Sequence, residues 1–168
     1  MKTQARKVWL SEAAADEITT ASMTGHPLET GGVLIGVYTE GKRPWIIRAM
    51  TVRSDNAGRA HFELPAGARP ACIDTARKVD PRLGYLGDWH SHPADVGASE
   101  TDLATMRNVA LDRKAAISRP LLLIARRSRA GNYEFDLHEF IRGRPRTTRL
   151  ITAGGLSPAP HEDVLDAA

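Results

Sequence analysis

The side chains best suited to chemistry lie in two short stretches, Asp88-Trp89-His90-Ser91-His92-Pro93 and Ser99-Glu100-Thr101-Asp102. Residues two apart on a strand point to the same side, so His90 and His92 can present their imidazoles to one point. Nine residues separate His92 from Asp102, enough for a loop to turn back and deliver a carboxylate from the next helix. Two neutral imidazoles and one carboxylate, with a fourth position open, are what catalytic zinc sites use. Metal-assisted hydrolysis is the chemistry such a set would perform. Each part also has a plainer reading. A His-x-His pair serves ordinary polar contacts, Ser99 with an acid three residues on fits a helix-capping pattern, and Pro93 and Gly97 suit any loop. Their joint occurrence, with the acid in the first turn of the following helix, is what favours the metal.

The elements that must position these groups follow from hydrophobic period and punctuation. Lys7–Leu10 reads as a short strand, and Ser11 caps a helix that ends near Gly25, before Pro27. Val33–Tyr38 and Trp45–Val52 form a hairpin across a turn at 39–44. Residues Arg53–Pro70 are polar and Gly/Pro-rich, with a short strand expected at His61–Leu64. Ala68–Val79 is a helix, and Leu83–Trp89 a buried strand. Ser99 opens a helix to about Lys114, with Leu103, Met106, Ala110 and Leu111 on one face. Pro120–Ala125 is another buried strand, Tyr133–His138 a strand with one wet face, and Arg146–Ile151 a last extended segment. The expected architecture is a single-domain α/β sandwich over residues 1–150, a largely antiparallel sheet with helices, followed by a flexible tail over 151–168.

In combination these residues resemble the JAMM signature of the JAB/MPN superfamily of zinc metallopeptidases. The likeness comprises Glu29 ahead of Gly31-Gly32-Val33-Leu34-Ile35-Gly36, then His90-Ser91-His92-Pro93, Ser99 and Asp102, and covers about Arg6 to Phe140. It implies a curved sheet of cytidine-deaminase-like type, one zinc ion, and His90, His92 and Asp102 as its ligands. It implies further that Glu29 activates the water and that Ser99 stabilises the oxyanion. Six residues lie between His92 and Ser99 where eukaryotic members commonly have seven, while the Ser-x-x-Asp relation is intact. The implied substrate is the C-terminal tail of a ubiquitin-like modifier or its conjugate. The small stand-alone domain looks like the prokaryotic members. Some of these stand beside ubiquitin-activating-like and conjugating-like enzymes, as in CBASS anti-phage operons, and others process sulfur-carrier proteins. Members without ligands act as scaffolds, and the related RadC-type domain is DNA-associated; these are the alternatives.

Around the signature, Asp88 alternates with His90 and His92 and is a candidate to orient a ligand imidazole. Trp89 faces the other way, towards the core. His26, His61, His138 and His161 lie outside the pattern and read as non-functional, and Asp95 and Glu100 are substitute bases. The groove walls expected for an extended tail are Glu29–Gly32, the Arg53–Pro70 loop and Ala94–Ala98, and such a groove would admit Gly or Ala before the cut.

Composition bounds the rest. The chain has 168 residues, 42% of them hydrophobic and 26% charged, which excludes wholesale disorder, a collagen repeat and a coiled coil. No apolar run reaches the ~18–20 residues of a membrane helix, and no secretory signal is expected at the N-terminus. Cys72 is the single cysteine, so there is no internal disulfide, no thiolate zinc cage and no Cys-x-x-Cys deaminase site. It reads as a small buried residue, and a cytoplasmic protein is expected. The net charge is +3, and seven of the 18 arginines fall between Arg126 and Arg149. That is a local basic hairpin, solvated or facing an acidic partner, with nucleic acid and membrane not expected.

Overall fold

The computed structural model describes residues 6–153. In chain order the elements are β1 (Lys7–Ser11), α1 (Glu12–Gly25), β2 (Gly31–Tyr38), β3 (Pro44–Val52), α2 (Ala68–Val79) and β4 (Gly84–His92). Then come α3 (Glu100–Leu111), β5 (Leu121–Arg127), β6 (Tyr133–Ile141), β7 (Arg144–Thr147) and β8 (Arg149–Ala153). All eight strands join one mixed sheet in the order β7-β6-β5-β4-β2-β3-β1-β8. Four neighbouring pairs are antiparallel; β1 with β3, β1 with β8, and β4 with β5 are parallel. Only Thr148 stands between β7 and β8, which lie at opposite ends of the order. The sheet is therefore curled until its ends approach, and the Thr148 amide reaches the Leu137 carbonyl on β6.

Both faces of the central strands are buried, which explains their unbroken apolar runs. Leu34, Trp89, Leu121, Leu123 and Ala125 pack with Ala14 and Ile18 of α1 on one face. Val33, Ile35 and Val37 alternate to the other face, against Cys72 and Ala76 of α2. Leu122 and Ile124 meet Met106 of α3 there as well. Trp89 and Cys72 are thus core residues, as expected. Burial also pushes the Cys72 thiol up. Ser11 caps α1 by accepting from the Ala14 amide at 3.0 Å.

Four expectations change. Residues 61–64 form no strand; they belong to a loop whose backbone turns on itself, the Gly58 amide donating to the His61 carbonyl. Helix α3 stops at Leu111, where Asp112 takes an extended conformation and a single 3-10 turn follows at Arg113–Ala115. Leu111 is exposed, and Val109 occupies the apolar side in its place. The extended segment expected at 146–151 is two strands, because the curled sheet offers it two different edges. β8 continues to Ala153, past the expected domain boundary, and the tail expected from there on lies outside the described residues, as does His161. Among the described residues no helix is long and apolar enough to cross a membrane.

Candidate metal centre

Strand β4 extends through His92, so both histidines sit on regular strand. Both are buried. Their Nε2 atoms are 3.1 Å apart. Asp102, in the first turn of α3, brings Oδ1 to 3.2 Å from His90 Nε2 and Oδ2 to 3.4 Å from His92 Nε2. Donors held on ~2.0–2.1 Å arms around a tetrahedral ion are about 3.3 Å apart, which is the spacing found. His92 Nδ1 contacts the Val96 carbonyl at 2.8 Å. A carbonyl can only accept, so Nδ1 carries the hydrogen and the lone pair of the neutral ring lies on Nε2, the inward-facing atom.

Lone pairs aimed at one point repel unless positive charge sits between them, and the electrostatics follow. Burial pushes the Asp102 carboxyl up, but the Ser99 amide and both imidazoles, which donate to it from Nε2 when protonated, outweigh it and hold the group well below the usual carboxylate range. Burial pulls His92 down, yet Asp102, the Val96 carbonyl and Glu29 more than reverse it, leaving its pKa raised. The cluster attracts a cation or, failing that, a proton. These donors fit a metal such as zinc.

Glu29 stands just before β2, where Gly31 pairs with His90. It is buried, with Oε1 3.7 Å from His92 Nε2. Burial raises its pKa against the pull of both imidazoles. Glu29, His90 and His92 have ligand atoms within 4.8 Å of one another and could hold a metal ion; Asp102 is nevertheless nearer His92 than Glu29 is. Two features that the sequence did not expose hold Glu29. Its amide donates to the Gly58 carbonyl at 2.7 Å. Ser91, between the histidines, accepts from the Thr30 amide at 2.9 Å and donates its own amide to the Thr30 carbonyl. Ser91 thus extends the β2–β4 ladder beyond Gly31 and fixes the chain entering it.

The glycines here serve close approach. A Cβ on Gly32 would lie 1.7 Å from the Met50 carbonyl oxygen, and one on Gly31 would lie 2.5 Å from both the Trp89 carbonyl oxygen and Phe62 Cε1. Phe62 in turn stacks on His90, with centroids 6.1 Å apart and planes at 22°. The Arg53–Pro70 loop therefore walls the site, and the Ala94–Ala98 loop reaches it through Val96.

Ser99 is exposed at the N-cap of α3. Its hydroxyl accepts from the Asp102 amide at 3.1 Å, and Asp102 Oδ2 accepts from the Ser99 amide at 2.7 Å. The capping box is real, and it orients Asp102 while leaving the hydroxyl proton free to donate. Asp88 does not touch either imidazole. Its carboxylate is held by Arg69 of α2 at 2.5 and 3.1 Å and by the Tyr85 hydroxyl at 2.8 Å; the Val96 carbonyl does the orienting instead. Asp95 is tied to Arg126, which also binds Glu134 and Asp136. That arginine of the basic hairpin is already matched by three carboxylates.

Fold and donor set together define a class, an α/β domain with a candidate metal centre at one strand end. The chain belongs to the prokaryotic homologues of the JAB domain, whose family model matches residues 11–138. The resemblance read in the signature thus holds at the family level, and the mixed curled sheet with three helices is the fold expected. A probable metalloprotease of Sinorhizobium fredii, y4qB, is 27% identical over 121 residues, covering 70% of this chain and 74% of its own. The CD-NTase/cGAS isopeptidase of Enterobacter hormaechei subsp. hoffmannii is 29% identical over 138 residues, covering 80% and 75%. The solution structure of protein DSY2949 from Desulfitobacterium hafniense shares the fold, with a TM-score of 0.69 at 20% identity over 92% of this chain and 98% of that one.

Proposed function

We propose that this protein is a zinc-dependent isopeptidase or peptidase that hydrolyses the amide bond after the C-terminal tail of a ubiquitin-like modifier. The observation that carries the reading is the convergence of His90, His92 and Asp102 at tetrahedral spacing with the buried Glu29 carboxylate beside them. His90 Nε2, His92 Nε2 and an Asp102 oxygen would hold one zinc ion. Zinc there supplies Lewis acidity, which lowers the pKa of a water from ~15.7 towards about 7. Glu29 takes the proton of the attacking water on a carboxylate oxygen and returns it to the departing amine nitrogen. Its raised pKa suits that two-way transfer. The Ser99 hydroxyl donates to the scissile carbonyl oxygen as negative charge develops.

The substrate class draws support from the Enterobacter relative, which is named an isopeptidase. That name also favours conjugate removal in a nucleotidyltransferase-linked defence setting over sulfur-carrier processing. Ser99→Ala should leave metal content unchanged and lower turnover roughly 10²-fold, with about 1 kcal/mol of stability lost with the cap. Assaying turnover, zinc and melting temperature on one preparation checks all three. The reading itself is tested with a panel of ubiquitin-like proteins fused through their tails to a reporter. One or more fusions should be cut after a terminal Gly or Ala, and replacing the last tail glycine by Leu should abolish cutting. Equal cutting of the Leu version, or digestion of unrelated unfolded chains at the same rate, would leave only a general peptidase.

A further inference from the structure

The Ala94–Ala98 loop has little of its own to hold it. Asp95, Val96 and Gly97 are exposed, Val96 by 56%. Among the described residues, its backbone makes one hydrogen bond within the loop, from the Val96 amide to the Ala94 carbonyl at 2.9 Å. The Val96 carbonyl nonetheless lies 2.8 Å from Nδ1 of the buried His92, and it selects the tautomer whose Nε2 lone pair faces inward. Both ends of the loop are fixed, His92 by β4 and Ala98 by packing against the Met106 cluster of α3. The middle is tied down through Asp95.

Arg126 is what ties it. This residue lies beside His92 in the parallel β4–β5 register. Trp89 and Ala125 point into the core beneath α1, so His90, His92 and Arg126 share the opposite face of the sheet. The Arg126 guanidinium spends three N–H groups on three carboxylates. Nε donates to Asp136 at 2.8 Å and Nη2 to Glu134 at 2.9 Å, both on β6, while Nη1 donates to Asp95. Glu134 is also its direct cross-strand neighbour. The two β6 acids therefore set the plane of the fork, and the remaining arm is aimed at the loop. A lysine ammonium has no such fixed fork. Exposed ion pairs contribute little stability one at a time, and three carboxylates on one cation leave surplus negative charge. The cluster suits the fixing of a loop better than the stabilising of a fold.

We infer that Arg126 is a positioning residue for the metal centre: it pins Asp95, and through Asp95 the Val96 carbonyl, so that His92 keeps Nε2 towards the ion. This deepens the proposed function and rests on its assignment of His92 as a ligand. Loss of Arg126 then has a definite direction. Without the guanidinium, Asp95, Glu134 and Asp136 repel one another. Asp95 stands on the loop while the other two stand on β6, so Asp95 is the one that moves away, and Val96 moves with it. Through-space charge acts in the opposite sense. Removing a cation and leaving three carboxylates beside the site attracts a metal ion more strongly. The sign of the change in zinc affinity therefore separates position from charge.

The test uses the full chain with zinc alone, titrated in competition with a chelator. Arg126→Met should raise the zinc Kd roughly tenfold, at the lower end of the effect of groups that orient a metal ligand. In the zinc-loaded protein the His92 Nδ1–H, followed by NMR of labelled histidine, should exchange with water faster than in the wild type. Adding Asp95→Asn to Arg126→Met relieves the repulsion and should recover on the order of threefold in affinity, although by charge alone the loss of a carboxylate weakens cation binding. Asp95→Ala breaks the same contact from the loop and leaves β5 untouched, which keeps the test open should Arg126→Met not fold. It should speed the same exchange and weaken zinc binding severalfold. Zinc binding unchanged or tightened in Arg126→Met and in Asp95→Ala, with His92 Nδ1–H exchange at the wild-type rate, overturns this inference and leaves the ligand set standing. Wild-type protein that binds no zinc, or binds it with the His92 resonances unmoved, fells the ligand assignment and takes this role with it.

Discussion

Glu29→Gln is expected to keep the fold and the metal and to lose tail cleavage by roughly 10²–10⁴-fold, the range associated with a positioned proton-transfer group. The amide is nearly isosteric with the carboxylate but cannot accept a proton at neutral pH. Because burial already disfavours the charged carboxylate, the neutral replacement should not destabilise the apo protein, and a small rise in melting temperature is consistent. Zinc content separates the two roles open to this residue. Glu29 lies near enough to both histidines to form a ligand set with them, so a metal ligand would show as lost zinc. A base shows as lost kcat with zinc retained. Activity at the wild-type level would pass the role to another acid, and Asp95 is poorly placed for it, since Arg126 already holds its carboxylate.

Asp102→Ala and His90→Ala are expected to reduce zinc to less than about a tenth of the wild-type stoichiometry, since each removes one of the three protein ligands proposed above. Asp102 carries a second duty. Its carboxylate accepts from the Ser99 amide while facing both imidazoles, so its loss also frees the first turn of α3. Asp102→Asn separates these effects: the amide oxygen can keep the Ser99 contact, but the neutral group binds metal weakly. Metal analysis with melting curves on both variants checks this. Zinc retained in full by Asp102→Ala and by His90→Ala would refute the ligand assignment.

The parts of this site that could be read before folding are those whose geometry is local. The two-residue period put His90 and His92 on one side of a strand, and Ser99 with Asp102 marked a helix start that the structure keeps. Glu29 was reachable only through resemblance, because its place depends on β2 pairing with a strand 61 residues later (90 − 29). Phe62, Gly58 and Ser91 owe their roles to contacts that no local pattern announces, and the strand expected around Phe62 did not form. Phe62 lies in an irregular loop, and Ser91 acts through bonds to Thr30 that exist only once β2 and β4 meet. Asp88 misled for a related reason: alternation gives the face of a strand but not the neighbour on it, and Arg69 from α2 arrives there first. The same limit applied at β7 and β8, where one extended run became two strands because a curled sheet brought two edges to it.

The central claim is that hydrolysis by this protein depends on a metal held by His90, His92 and Asp102. Its most direct test is a chelation and reconstitution series on the cleaved tail-reporter fusion, with zinc content and initial rate read from the same samples. The rate should fall in proportion to zinc removed, reach background in the stripped protein, and return on adding one equivalent of zinc. It should fail to return in the His90→Ala protein. A stripped protein that still cuts at the wild-type rate would contradict the claim.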